Sequence, residues 1–176
     1  SKEEFAEAEI ADKESLYTYL RRNESGDLYT VPFHKQYEAE LTKASSYLKE
    51  AAELAEDEGL RKYLLLRADA LLNDDYRESD LVWMDMRDNT LDLIIGPIET
   101  YEDQLYGFKA SYEAYVLVKD IEWSERLTRY AAFLPKLQEN LPVDEAYKQE
   151  KPGTDADLGA YDAIYFSGAA NSGGKT

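Results

Sequence analysis

The chain has 176 residues, 44% of them hydrophobic, which is enough for one folded domain with a real core and too many for a disordered polypeptide. Its 20 basic and 37 acidic residues leave a formal charge of −17, a field that repels phosphate and argues against nucleic acid and anionic membrane as partners. There is no cysteine, so a disulfide scaffold and a thiolate metal site are both excluded.

The missing cysteine fits a reducing compartment such as the cytoplasm, without excluding the periplasm. No apolar run approaches the ~20 residues that span a bilayer. Ser1-Lys2-Glu3-Glu4 has neither an initiator Met nor the character of a signal peptide, which predicts that upstream residues were removed.

Taken in chain order, Phe5, Ala8, Ile10, Leu16, Tyr19 and Leu20 predict a helix over 3–22. Asn23-Glu24-Ser25-Gly26-Asp27 reads as a turn. Leu28-Tyr29-Thr30-Val31-Pro32-Phe33 is too short and Pro-interrupted for a helix and reads as an extended linker. Over 34–55 a single apolar stripe runs through Tyr37, Leu41, Ala44, Leu48, Ala51, Ala52 and Ala55. Asp57-Glu58-Gly59 breaks it, and a second helical pattern over 60–73 predicts an antiparallel pair. A third helix is expected over 78–86.

The character changes at Asp88-Asn89. Residues 90–98 are rich in β-branched side chains and lie between breakers, so they predict a strand. A second strand is expected over 111–118, able to pair with the first across a long connection rich in Tyr and acid. A helix follows over 122–141, with Trp123, Leu127, Tyr130, Ala131, Leu134 and Leu137 on one stripe and Pro135 expected to kink or shorten it. A polar surface loop over 147–159, a strand over 160–166 and a flexible tail rich in Gly, Ala and Ser complete the chain. The fold class is α+β, predominantly helical with a small two- or three-stranded sheet. The expected organisation is a helical region over 1–87 and a mixed strand and helix region over 88–176, forming one compact domain of a larger protein.

Three features could carry chemistry. The lone His34 lacks the two or three further ligands a zinc site needs, and reads as a surface residue near a helix start. Ala169-Ala170-Asn171-Ser172-Gly173-Gly174-Lys175-Thr176 resembles a relaxed phosphate loop. An anion site of that kind needs a following helix, and the chain ends at the Thr, so no ATP binding is expected. Gly96-Pro97-Ile98-Glu99-Thr100-Tyr101-Glu102-Asp103 places three carboxylates and a phenol over five positions after a rigid strand end. Such a cluster suits a cation such as a substrate ammonium group, although an exposed acidic loop in an acidic chain is the plainer reading.

The stretch from Trp83 through Asp92 and Gly96 to Asp103 resembles the segment of family M49 metallopeptidases, the dipeptidyl-peptidase III-like enzymes, that runs from a tryptophan to Gly-x-Ile-Glu-Ser/Thr-Tyr-x-Asp. Ser111-Tyr112-Glu113-Ala114-Tyr115-Val116 is similar to that family's Phe-Glu-Gly-Phe-Val strand. Asp157-Leu158-Gly159-Ala160-Tyr161-Asp162-Ala163-Ile164-Tyr165-Phe166-Ser167-Gly168 resembles its Leu-Asp-Val-Leu-Thr-Phe-Ala-Gly strand. The resemblance covers roughly residues 37–176, and the first ~35 residues match nothing in it.

The resemblance implies a two-lobed zinc peptidase whose zinc motifs, a His-Glu helix and a downstream acidic helix, lie outside this chain. It therefore implies no cofactor within the chain and zinc in the full-length protein, no catalytic residue here, and a substrate-binding role for Asp92, Glu99 and Tyr101 at the peptide's amino end. The implied partners are the zinc-binding remainder of the same polypeptide and a peptide substrate. Ile94 stands where the family often has a cleft tyrosine, which weakens the case for aminopeptidase-type specificity. The alternative from another class is a noncatalytic helical module that binds a protein through its aromatic surface, given 15 tyrosines. A shared site for Asp92 and Glu99 requires a bend at Gly96-Pro97, because an odd separation along a straight strand puts two residues on opposite faces.

Overall fold

A computed structural model describes residues 1–149 and 158–168. The elements in order are α1 (Lys2–Glu7), β1 (Thr18–Arg22), β2 (Leu28–Pro32), α2 (Phe33–Gln36), α3 (Glu38–Leu54), α4 (Glu58–Ala70), α5 (Arg77–Asp85), β3 (Leu91–Glu99), β4 (Ser111–Asp120), α6 (Ile121–Ala131), α7 (Leu134–Glu139), a 3₁₀ turn (Glu145–Lys148) and β5 (Ala160–Gly168). This is an α+β fold with two antiparallel sheets, the hairpin β1-β2 and a three-stranded sheet in the order β3-β4-β5.

The helix expected over 3–22 is a correction. Only α1 is helical, and Lys13 ends it by donating through Nζ to the carbonyls of Phe5, Ala6 and Ala8 at 2.8, 3.0 and 2.9 Å. Asp12 then turns the chain at φ 57°. Thr18 to Arg22, which includes a β-branched and an aromatic residue, pairs with the segment expected to be a linker: Tyr19 opposes Val31 and Leu20 opposes Thr30. The turn over 23–27 is present. Gly26 sits at φ 88°, and Asn23 Oδ1 accepts the Asp27 N–H at 2.9 Å. The long helix over 34–55 is broken at Tyr37, whose φ of −116° is not helical and whose hydroxyl lies 2.6 Å from that of Tyr19. The helix over 122–141 divides into α6 and α7 at Ala132-Phe133, with Pro135 in the first turn of α7, where its ring is tolerated.

The core forms where α3 and α4 lie antiparallel. Leu41, Leu48 and Ala52 meet Tyr63, Leu64, Ala68 and Leu71, with Tyr76 beside them and Leu93, Ile95 and Tyr112 of the sheet packed on top. Asp57 caps α4 by accepting the Leu60 N–H at 2.7 Å. Asp74 ends the turn after α4 in the left-handed region, φ 61°, a conformation that Asp tolerates better than most residues. Lys109 ties the sheet to the segment before the hairpin. Its Nζ donates to Lys13 O, Ser15 O and Thr18 Oγ1 at 2.7, 2.6 and 2.8 Å.

One charge sits within the helical layer. Arg67, only 6% exposed, forms an ion pair with Asp80 of α5 and lies over the rings of Tyr63 and Tyr76 at 5.3 and 5.2 Å. Removing one partner of a buried pair costs about 3–5 kcal/mol, because the other charge is stranded. Arg67→Ala also deletes a packed side chain, so urea unfolding is expected to show a loss in that range. Asp80, which is more than half exposed, should cost less as Asp80→Asn. A loss below about 1 kcal/mol for Arg67→Ala would contradict this placement.

Candidate functional site

The site is built on β3 and β4. Their register runs antiparallel from Leu91 opposite Val118 to Pro97 opposite Tyr112, and then shifts so that Glu99 opposes Ser111. The extra residue is Ile98. A bulge of this kind changes the phase of alternation, and cross-strand partners share a face. Asp92, Ile94, Gly96 and Glu99 therefore pair with Leu117, Tyr115, Glu113 and Ser111, which are alternate residues on one face of β4. The bend that a common face for Asp92 and Glu99 requires is present in the strand.

Gly96 is the residue that permits it. Its φ is 142°, and a Cβ there would lie 3.1 Å from Arg67 Nη1 and 3.4 Å from the Tyr76 ring. A side chain would be both conformationally strained and crowded at this point.

Glu99 and Tyr101 are exposed. Glu113, across from Gly96, is only 5% exposed. One carboxylate oxygen accepts the Tyr115 hydroxyl at 3.3 Å, and the other, Oε1, finds no hydrogen-bond partner among the described residues. The Tyr115 ring stacks on Phe166 of β5 at 6.4 Å. Desolvation and the negative charges of Glu113, Glu102 and Glu99 raise the Tyr101 hydroxyl above its ordinary range. The Tyr115 hydroxyl is raised by desolvation and by the same Glu113 and Glu99. Both phenols thus stay protonated among carboxylates, and the group offers several acceptors to a ligand rich in N–H. That is the complement of a primary ammonium.

Asp92 lies elsewhere on this face. Six or seven residues of strand at about 3.3 Å each place it roughly 20 Å from Glu99. It is buried and accepts the Trp83 indole N–H at 2.9 Å. Burial raises its carboxyl, while hydrogen bonds from Trp83 and the Leu93 backbone, and the charge of Lys119, act the other way. Asp103 is not available to a ligand in the way its neighbours are. Its carboxylate accepts the N–H groups of Leu105, Phe108 and Lys109 at 3.0, 2.9 and 3.2 Å, and so organises the loop back into β4.

The structure thus brings Glu99 and Tyr101 together and leaves Asp92 at the far end of the strand. It adds Glu113 and Tyr115, which the sequence reading left unassigned. Their signal was a carboxylate two positions before a tyrosine in an otherwise apolar strand.

His34 is a correction. It begins α2 as expected, but it is half-buried. Its ring Nδ1 lies 2.7 Å from Asp74 Oδ2, and its backbone N–H donates to the same oxygen at 3.1 Å. No three metal-ligating side chains converge among the described residues, and His34 is engaged with Asp74. The residues present do not fit zinc, so no step is routed through it. The phosphate-loop-like residues 169–176 and most of the expected surface loop over 147–159 lie outside the described residues.

The α+β scaffold is shared with solved dipeptidyl peptidases. DPP III from Caldithrix abyssi superposes with a TM-score of 0.83 at 40% identity, covering 90% of this chain and 30% of that one. Dipeptidyl-peptidase III from Corallococcus sp. strain EGB gives 0.70 at 34% identity, covering 88% and 28%. Nudix hydrolase 3 of Arabidopsis thaliana is 35% identical over 163 residues, 93% of this chain and 21% of that protein. The model of peptidase family M49 matches residues 7–174, and the chain belongs to that family. It spans about a fifth to a third of the length of these relatives.

Asp92 gives a pH test. A carboxyl raised in the folded state favours folding most when protonated, and that contribution is lost as pH rises through its folded pKa. Between about pH 4 and 7, wild type should lose stability relative to Asp92→Asn, measured by urea unfolding at each pH. A difference that instead grows in favour of wild type with rising pH would show an ionised, stabilised carboxylate.

Proposed function

We propose that this chain is the non-catalytic lobe of an M49-type zinc-dependent peptidase and supplies one wall of its peptide-binding cleft. The zinc and its ligands belong to the remainder of that polypeptide. In this reading the regions 1–87 and 88–149 form one compact unit, which the packing of Leu93, Ile95 and Tyr112 on the helical core supports. Family membership favours this reading over a noncatalytic helical interaction module.

The observation that supports the wall is the buried, half-satisfied Glu113 on the same sheet face as Glu99, with Tyr101 in the turn that follows the strand. A buried carboxylate oxygen without a partner is costly, and a ligand donor offsets that cost. A peptide's amino terminus is such a donor, carrying one positive charge and three N–H groups. Glu99 and Glu113 hold it by charge-assisted hydrogen bonds, and Tyr101 borders it. Asp92 lines the same wall further along.

In the full-length protein, Glu99→Gln is expected to raise KM roughly tenfold for peptides with a free amino terminus, the loss of one charged hydrogen bond. It should change KM little for amino-blocked substrates. Equal effects on both would refute the amino-end role. Asp92→Ala separates two cases: a selective rise in KM places Asp92 in the wall, whereas lowered stability without selectivity makes it a support for Trp83.

A further inference from the structure

The strongest unassigned feature is an apolar helix face that covers none of the described residues. The α6 stripe has helical spacing, and such a stripe normally faces a core. Here the only buried residue of α6 is Ser124, and α7 buries none. Ser124 anchors α6 to β5: its Oγ accepts the Ala160 N–H at 3.0 Å and donates to the Ala160 carbonyl at 3.3 Å. The apolar side is left open, with Trp123 51%, Tyr130 65%, Phe133 58% and Leu137 59% exposed. Leu127, Tyr130, Phe133, Leu134, Leu137 and Leu158 line a groove of about 550 Å³ there. Contiguous apolar surface of this kind marks an interface, unlike the scattered exposed residues of α3 and α4.

We propose that the α6–α7 face is the docking surface for an apolar segment of the parent polypeptide that lies outside these 176 residues. Two observations select that occupant. The solved relatives contain this chain as only 30% and 28% of their length, so most of such a polypeptide is available to cover the groove. A second copy is disfavoured, because each chain carries a formal charge of −17 and association would bring two such fields together. The inference rests on the reading of this chain as part of a longer polypeptide. It does not depend on the amino-end subsite, and its test reads no activity.

The test compares backbone hydrogen exchange in the 176-residue chain and in the whole parent protein. Amides over 121–139 are expected to exchange at least about tenfold more slowly in the parent, because a docked helix opens less often. Leu137→Asp should abolish most of that slowing in the parent and leave exchange in the short chain unchanged. Leu54→Asp, at a position 84% exposed on α3, should change neither. Equal exchange over 121–139 in the two proteins would overturn the proposal. So would slow exchange in the short chain that strengthens with concentration alongside a dimer in light scattering, which would assign the face to a second copy.

Discussion

The structure depends on the approach of one strand to one buried cation. Arg67 lies in the helical layer, paired with Asp80 and flanked by the rings of Tyr63 and Tyr76. A guanidinium is the one cation suited to this place, since it pairs with a carboxylate through its edge and with aromatic rings through its faces. β3 must pass over this group, and it does so at Gly96, where no Cβ stands between backbone and Nη1. The strand takes a φ there that other residues avoid, and within three residues the register slips by one. The buried cation, the Gly96 conformation and the bulge thus lie within three residues of one contact.

The slip decides the chemistry. Without it Glu99 would leave the face that carries Glu113 and Tyr115, and the acidic loop would be a solvated edge. With it, the exposed carboxylate joins a buried one whose second oxygen lacks a partner. The neighbouring loop is held by Asp103 through three backbone N–H groups, so Tyr101 and Glu102 project from an ordered turn.

Much of this was legible in the residues. The α3 and α4 stripes, the strands near 91–99, 111–120 and 160–168, and a break in the helix before Pro135 all follow from local spacing and breakers. The need for a bend at Gly96-Pro97 followed from parity alone. The helix over 3–22 failed because its apolar spacing also suits a strand, and the Lys13 clasp and the pairing with β2 are tertiary. Arg67 falls on the apolar stripe of the second helix, but helical periodicity cannot tell a buried cation from a stray polar residue. Glu113 required the register before it could be seen facing Glu99. The α6 stripe was read correctly as apolar, but amphipathicity names no partner, and none of the described elements buries it.

The most direct test of the central claim is the register of β3 against β4 in solution. Nuclear Overhauser contacts between backbone protons of the two strands report it pair by pair. The account predicts a cross-strand contact pairing Glu99 with Ser111 and one pairing Pro97 with Tyr112, with Ile98 left without a partner. A contact pairing Ile98 with Ser111 would mean a straight strand, with Asp92 and Glu99 on opposite faces, and would contradict the account.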